Sequence, residues 1–300
     1  MKIAIVGLGL IGGSFALSIK RAHKDAEIFG IDNTQENLLM ALSLRLIDKE
    51  ISYPELYNVN IVIVAVPVNV SIEILPKILQ AVSDNTLVFD VGSSKELICH
   101  TLRSHPKRRN FLATHPIAGT EFSGPEAAKK DLFYGKTMIV CEVEKTVYKL
   151  QQMGLLLFEN LGMNLRFMCP KIHDKHIAYV SHLSHISSFM LGKTVMEKEK
   201  IEKDIFDMAG SGFESTVRLA KSPANMWTQI FEQNRSNVAE VLEEYIYNLQ
   251  AFKKLIDNGD FDKIHEQITE TNRIREILAN DKINPLILNG KLSNTKKTIV

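Results

Sequence analysis

One segment of this chain carries a side chain suited to taking up a proton. His115 lies in THPIAGTEFSG (residues 114–124), after a predicted strand, where a neutral imidazole can act on a substrate hydroxyl. The ordinary interpretation of His115 is a loop residue hydrogen-bonded to backbone. Spacing alone leaves both interpretations open.

A metal site is the first alternative for the histidines, because His173, His176, His182 and His185 fall within thirteen residues. At about 100° per residue of helix they point in several directions, with His176 and His185 about opposite, so one helix cannot gather them around an ion. We therefore expect no metal. We expect His173 and His176 to face solvent near the start of the helix, as neither ligands nor catalysts.

A glycine-rich turn follows the first apolar segment. Residues 2–13 read KIAIVGLGLIGG, which places Gly7, Gly9 and Gly12 in a GxGxxG between a predicted strand and a predicted helix. Gly7 permits the tight turn, Gly9 lets the backbone approach a pyrophosphate, and Gly12 lets the helix pack close to the strand. The helix N-terminus adds free N–H groups and partial positive charge.

Asp32 lies 20 residues beyond Gly12, after the strand EIFGI, where its carboxylate can accept hydrogen bonds from a ribose diol. It would repel a 2′-phosphate, and residues 33–35 offer no arginine to hold one, so NAD is the predicted cofactor. The alternative is a glycine turn made for packing, with Asp32 as a helix cap. The predicted cofactor-binding residues are Gly7, Gly9, Leu10, Ile11, Gly12, Asp32, Val66 and Pro67.

The elements that must position these residues change in type along the chain. Strands are predicted at 2–6, 27–31, 59–66, 86–91, 110–114, 137–141 and 164–168, separated by amphipathic stretches. This pattern is typical of a Rossmann-type, doubly wound parallel α/β sheet. From about Lys171 only helical periodicity remains, so we place a domain boundary near Pro170, between residues 1–169 and 170–300.

Composition narrows the classes of partner. A net charge of +1 on 300 residues, with scattered basic side chains, gives no reason to expect nucleic acid. Three dispersed cysteines without CxxC spacing predict neither disulfides nor a thiolate site, and they fit a cytoplasmic protein. Neither a signal peptide nor a membrane span is expected. The basic segment Lys291–Lys297 is interpreted as a frayed tail.

Four segments in order resemble prephenate dehydrogenases: DVGSSK (90–95), HPIAGTEFSG (115–124), SHLSH (181–185) and GFESTVRLAKSPANMW (212–227). The resemblance extends to about residue 255. It implies NAD-dependent oxidative decarboxylation of prephenate to 4-hydroxyphenylpyruvate on the route to tyrosine. It also implies that the helical C-terminal domain forms a homodimer.

The resemblance assigns roles to individual residues. His115 holds the ring hydroxyl and assists loss of its proton, and Ser93 contacts both that histidine and the cofactor side of the pocket. Arg218 binds the ring carboxylate, His185 reaches the substrate side chain, Glu121 gates the pocket and Trp227 lies near the substrate. The planar, permanently charged guanidinium of Arg218 suits that role. Without the resemblance Arg218 would be a surface partner of Glu214, four residues earlier. Likewise, Ser93 would be a turn or cap residue, Glu121 a solvated loop charge and Trp227 part of a core.

Three alternatives remain open. The family often has an acid where this chain has Ser215, which leaves the choice between prephenate and its amino counterpart arogenate undecided. Hydroxyacid or imine reductases share the architecture, but many use a lysine where this chain has SHLSH. A non-catalytic NAD-sensing protein would need the glycines and Asp32 without His115 and Arg218 meeting.

Overall fold

The computed structural model describes residues 1–283, and Lys291–Lys297 lies outside them. The described chain forms two compact units, the first spanning Met1–Val241 and the second beginning at Leu242. The division of roles at Pro170 stays a prediction. No helix within residues 1–283 combines the length and apolar character needed to cross a bilayer.

An eight-stranded sheet forms the centre of the first unit, in the order β3-β2-β1-β4-β5-β6-β7-β8. Its strands are β1 (Lys2–Val6), β2 (Glu27–Ile31), β3 (Lys49–Glu50), β4 (Ile61–Val64), β5 (Leu87–Asp90), β6 (Phe111–Pro116), β7 (Thr137–Cys141) and β8 (Asn164–Met168). The Rossmann-type α/β architecture is confirmed. Four of the seven predicted strands have the predicted bounds, and the others shift by one or two residues.

One pair of strands departs from the parallel order of the predicted sheet, since β6 and β7 are antiparallel. Parallel neighbours require a crossover, usually helical. The connection between β6 and β7 holds only the 3-10 turn Pro125–Ala127, whereas β7 and β8 are parallel and joined through a helix, Tyr148–Asn160. A second difference is the two-residue β3, which was not predicted from the sequence.

Both faces of the sheet are buried, as the apolar strands require. Along β1, Ile3 and Ile5 contribute to one core cluster, whereas Ala4 and Val6 contribute to the other. The helices that cover the sheet are α1 (Leu10–Ala22), α2 (Gln35–Ser43), α3 (Val68–Ala81), α4 (Glu96–Leu102) and α5 (Tyr148–Asn160).

From Pro170 onward the described chain is helical, as predicted. The helices are α6 (Pro170–Ile177), α7 (Leu183–Glu199), α8 (Ser211–Val217), α9 (Ala224–Gln233), α10 (Arg235–Asn258), α11 (Phe261–Thr271) and α12 (Ile274–Ile283). A π-helical turn, Ala178–His182, joins α6 to α7.

Candidate active site

The glycine turn joins β1 to α1, and its three glycines face different surroundings. Gly7 has φ +95°, and a Cβ built on it would lie 2.5 Å from the Ala65 carbonyl oxygen. A Cβ on Gly12 would lie 2.0 Å from the Gly7 carbonyl oxygen, whereas one on Gly9 would meet nothing within 4 Å. Gly7 and Gly12 are therefore required by the protein itself. Gly9 borders open space, as a site for a ligand would require.

The other predicted cofactor residues surround this turn. Leu10 and Ile11 form the first turn of α1, whose N-terminus has no side-chain cap and no acidic residue. Asp32, just beyond β2, accepts hydrogen bonds from the backbone N–H of Leu8 (2.8 Å) and of Thr34 (2.9 Å). These bonds hold the carboxylate against the glycine turn.

Val66 and Pro67 follow β4 on the other side of the turn. Cγ1 of Val66 would lie 2.9 Å from a Cβ built on Gly7, so the Val66 side chain borders the turn. Pro67 is the residue that precedes α3. The structure thus brings the predicted cofactor residues together at the carboxyl ends of β1, β2 and β4, where dinucleotides bind in doubly wound sheets.

His115 lies on β6 itself rather than in the loop after it, because β6 extends to Pro116. Its Nδ1 atom is 2.8 Å from Nε2 of His173, and the two rings meet edge to face at 70°. Desolvation of the ring is the main cause that holds the pKa of His115 well below 6.5, and the nearby His173, Lys95 and His182 also lower it. His115 is therefore neutral at neutral pH, as a general base must be.

The expectation that His173 faces solvent was wrong. Its side chain is 2% exposed and lies between His115 and Asp174, with Nδ1 at 2.7 Å from Oδ1 of Asp174. The reason is a contact between helices: the Asp174 carboxylate accepts the backbone N–H of Lys95 (2.7 Å) and of Glu96 (2.9 Å) at the start of α4. This contact draws the start of α6 onto the nucleotide-binding sheet.

His176 is exposed, as expected. His173 and Asp174 were not predicted as site residues, although one signal was present in the sequence. His173 and Ile177 are four residues apart and share a helix face, and both are buried. An apolar partner at that spacing favours a buried histidine over a solvent-facing one.

A buried ion pair supports the strand that carries His115. Lys95 and Asp90 are both buried and contact each other directly. Asp90 also accepts the backbone N–H of Thr114 (3.2 Å) and of Gly92 (3.0 Å). The backbone next to His115 is thereby tied to the turn after β5.

Ser93 occupies that turn and is partly exposed. Within residues 1–283 the structure shows no hydrogen bond from its hydroxyl to His115, whose Nδ1 is taken by His173. The neighbouring Ser94 instead donates to Oε1 of Gln233 at 2.6 Å. The catalytic role of Ser93 stays a prediction.

The aromatic part of the site is built from α7, the turn before it and α9. His185 stacks on Trp227 with ring centroids 3.5 Å apart, and His182 meets Trp227 edge on. Burial lowers the pKa of His182 to about 4, and burial followed by the charge of Arg218 lowers the pKa of His185. Trp227 is 6% exposed, and its indole N–H has no protein partner among the described residues. Both imidazoles are neutral at neutral pH.

Arg218 pairs with Glu121, so two residues predicted from distant segments contact each other. The guanidinium Nη1 donates to Oε2 of Glu121 at 3.0 Å, and the Arg218 side chain is 52% exposed. A hydrogen bond from its own backbone N–H is the first cause that lowers the pKa of Glu121, and Arg218 lowers it further. Glu121 is therefore ionised and occupies part of the guanidinium fork.

A glycine turn at the carboxyl edge of a doubly wound sheet, with Asp32 hydrogen-bonded against it and a neutral histidine on another strand of the same sheet, is the arrangement of a dinucleotide-dependent oxidoreductase. Within residues 1–283 no group of three or more histidine, cysteine or acidic side chains is arranged to hold a metal ion.

Comparison with known proteins identifies the family. Residues 15–164 match the model of the prephenate dehydrogenase nucleotide-binding domain, and residues 169–270 match that of the prephenate dehydrogenase dimerization domain. The chain is 30% identical to prephenate dehydrogenase of Bacillus subtilis, over 87% of this chain and 72% of that protein.

Two solved structures are similar over nearly the whole chain. Prephenate dehydrogenase from A. aeolicus, crystallised with hydroxyphenyl propionate and NAD+, has a TM-score of 0.85 and 32% identity over 93% of this chain and 98% of that chain. Synechocystis arogenate dehydrogenase has a TM-score of 0.76 and 26% identity over 93% of this chain and 100% of that chain. The chain belongs to the prephenate dehydrogenase family of NAD-dependent oxidoreductases, which confirms the resemblance of the four segments.

Proposed function

We propose that this chain oxidises and decarboxylates prephenate to 4-hydroxyphenylpyruvate with NAD, on the route to tyrosine. The observation that carries the proposal is that His115 is neutral and lies on β6. This strand belongs to the same sheet as β1, which leads into the glycine turn. A base in that position suits a substrate whose hydroxyl must lose a proton as it is oxidised.

The residues of the glycine turn fit NAD. Gly9 leaves room for a pyrophosphate, the uncapped start of α1 offers N–H groups, and Asp32 offers a fixed carboxylate to a ribose diol. When bound, NAD supplies the acceptor for the hydride that leaves C4 of the substrate ring. Leu10, Ile11, Val66 and Pro67 complete the proposed cofactor site.

His115 takes the proton of the C4 hydroxyl as that carbon is oxidised to a ketone. The bond to the ring carboxylate then breaks, its electron pair enters the ring, and carbon dioxide leaves. The ring becomes aromatic, and its oxygen recovers a proton from His115. Proton transfer in both directions is thus the task of one imidazole.

Arg218 holds the ring carboxylate in this proposal. The Glu121 carboxylate already pairs with part of the Arg218 guanidinium. The ring carboxylate of the substrate would take the place of Glu121, so the guanidinium would stay paired with a carboxylate throughout. Glu121 would then act as the gate that opens on substrate entry. His185, stacked on Trp227, is the proposed contact for the side chain of the substrate, and Ser93 remains the proposed partner of His115 on the cofactor side.

We also propose that residues 1–169 bind NAD and that residues 170–300 bind substrate and form a homodimer. The match to a dimerization domain supports the dimer, as do Phe261 and Ile268 on α11, which are 68% and 51% exposed in the single chain. Analytical ultracentrifugation should show twice the 33.8 kDa mass of the chain. A cytoplasmic location stays a prediction.

Purified protein tests the proposal directly. With prephenate and NAD, absorbance of NADH should rise and 4-hydroxyphenylpyruvate should form, with much lower rates from NADP because of Asp32. A parallel assay with arogenate tests whether the chain prefers prephenate or its amino counterpart, the choice that Ser215 leaves undecided. Turnover only with another hydroxyacid would favour a reductase of similar architecture, and NAD binding without turnover of any of these substrates would favour a sensing protein.

A further inference from the structure

A continuous row of hydrogen-bonding groups runs from the start of α4 to His115. The Asp174 carboxylate accepts the backbone N–H groups of Lys95 and Glu96, and it contacts Nδ1 of His173 at 2.7 Å. Nε2 of His173 in turn lies 2.8 Å from Nδ1 of His115. His173 and Asp174 are each 2% exposed, so solvent does not compete for these bonds.

The acceptor at one end of the row fixes every proton in it. Each carboxylate oxygen of Asp174 accepts a backbone N–H, so we take Asp174 as the acceptor toward His173. His173 must therefore carry its proton on Nδ1, which leaves a lone pair on Nε2. His115 must then carry its own proton on Nδ1 to donate to that lone pair. The remaining nitrogen of His115, Nε2, is left unprotonated.

We propose that His173 and Asp174 are positioning residues that hold His115 in the tautomer with a basic Nε2. This inference rests on the proposed role of His115 as the base. Imidazole can carry its single proton on either nitrogen, and only one tautomer leaves Nε2 able to take the hydroxyl proton. The row removes that ambiguity before substrate binds.

The same contacts stabilise the cation that forms during the reaction. When Nε2 of His115 takes a proton, its Nδ1–H donates more strongly to His173, and the negative charge of Asp174 lies at the other end of the row. Lys95 and His182 act in the opposite direction on His115, and Asp90 pairs with Lys95. A positive charge on His173 would also lower the pKa of His115, but with a single proton, on Nδ1, His173 acts on His115 only as a hydrogen-bond acceptor. Asp174 is thus the carboxylate linked to His115 through hydrogen bonds.

Two substitutions at one position separate the links. His173→Gln has a side chain long enough to offer its amide oxygen to Nδ1 of His115, whereas His173→Asn reaches Asp174 but not His115. We expect His173→Asn to lower kcat at least tenfold, but by less than the loss of about 10²–10⁴-fold expected when the general base itself is removed. His173→Gln should recover part of that loss, and both should leave the Kd for NAD unchanged. His176→Asn, on the exposed face of the same helix, is the matched control.

A pH profile distinguishes positioning from structural damage. Loss of the acceptor on His173 destabilises the protonated form of His115, so the acid limb of kcat/KM should move to lower pH by about one unit in His173→Asn. General damage would lower the rate by one factor at every pH. Equal losses in the two variants with an unmoved acid limb would overturn the proposal.

The tautomer can also be observed without turnover. In protein labelled with 15N and 13C histidine, the His115 signals, assigned by their absence in His115→Asn, should show the proton on Nδ1, and the proton should move or exchange between nitrogens in His173→Asn. A proton fixed on Nε2 in the unsubstituted protein would overturn the inference while leaving the proposed reaction untouched. Absence of turnover in the unsubstituted protein would instead refute the proposed function.

Discussion

Gly9→Ala should weaken NAD binding and leave stability nearly unchanged, whereas Gly12→Ala should destabilise the fold, although the two glycines belong to one turn. Gly9 has φ −73° and ψ −162°, which alanine adopts without strain, and a Cβ there meets nothing within 4 Å. Gly12 is helical, but its Cβ would lie 2.0 Å from the carbonyl oxygen of Gly7. That oxygen belongs to the backbone and cannot rotate away.

The expected magnitudes follow from these contacts. Gly12→Ala should cost about 3 kcal/mol or more through overpacking, which lowers the thermal midpoint by about 6 °C or more. Gly9→Ala should change the midpoint by about 3 °C or less, because the small capping loss is offset by lower entropy of the unfolded chain. In the Gly9 variant the new methyl group occupies the space of the pyrophosphate. Loss of one charge-assisted hydrogen bond, about 1.5–3 kcal/mol, would raise the Kd for NAD about 10- to 150-fold.

Differential scanning fluorimetry without NAD and titration calorimetry with NAD measure the two effects separately. Gly9→Ala should fold like the unsubstituted protein and bind NAD weakly. If it bound NAD normally, the pyrophosphate would not lie against Gly9. If it unfolded as early as Gly12→Ala, the glycine would serve packing, and the turn would say nothing of a cofactor.

Three further predictions concern the substrate site. His115→Asn should lower kcat by about 10²–10⁴-fold with an unchanged Kd for NAD, as measured by steady-state kinetics and calorimetry; an equal loss of NAD affinity would contradict its role. Arg218→Gln should raise KM for prephenate about 10- to 100-fold with a smaller effect on kcat. The control Lys221→Gln, which removes a nearby exposed charge, should change KM little. Equal increases of KM in the two variants would show that only the overall charge matters. Because a lowered pKa keeps His115 neutral to lower pH, kcat/KM should stay level from pH 8 to below 6.5 and fall only under more acid conditions, and a fall centred at or above 6.5 would show that the base is another group.

Local signals in the sequence were sufficient for most of the fold and for the position of the glycine turn. The glycine turn, the apolar strands and Asp32 are each defined by residues close together in the chain, and the structure places them as expected. The antiparallel pair of β6 and β7 was not predictable in this way, because it depends on the path of a connection with no helix to mark it.

The row from Asp174 to His115 was missed for a related reason. His173 appeared solvent-facing because helical periodicity describes one helix at a time, and it contains no information on a second element packed against the first. The burial of His173 depends on Asp174 accepting backbone N–H groups at the start of α4. Asp174 and Glu96, the first residue of α4, are 78 residues apart in the chain. Such a contact between distant elements does not appear in the periodicity of either one. The apolar Ile177, on the same face of α6 as His173, was the one residue that indicated burial of that face.

In the proposed reaction, the basic imidazole of His115 and the guanidinium of Arg218 hold one dicarboxylate in front of the nicotinamide. A crystal structure of the slow His115→Asn variant with NAD and prephenate would test it most directly. We expect the ring carboxylate within about 2.7–3.2 Å of the Arg218 guanidinium, the C4 hydroxyl facing position 115, and C4 facing the nicotinamide ring. A ring carboxylate bound away from Arg218, or a C4 hydroxyl turned away from position 115, would refute this arrangement.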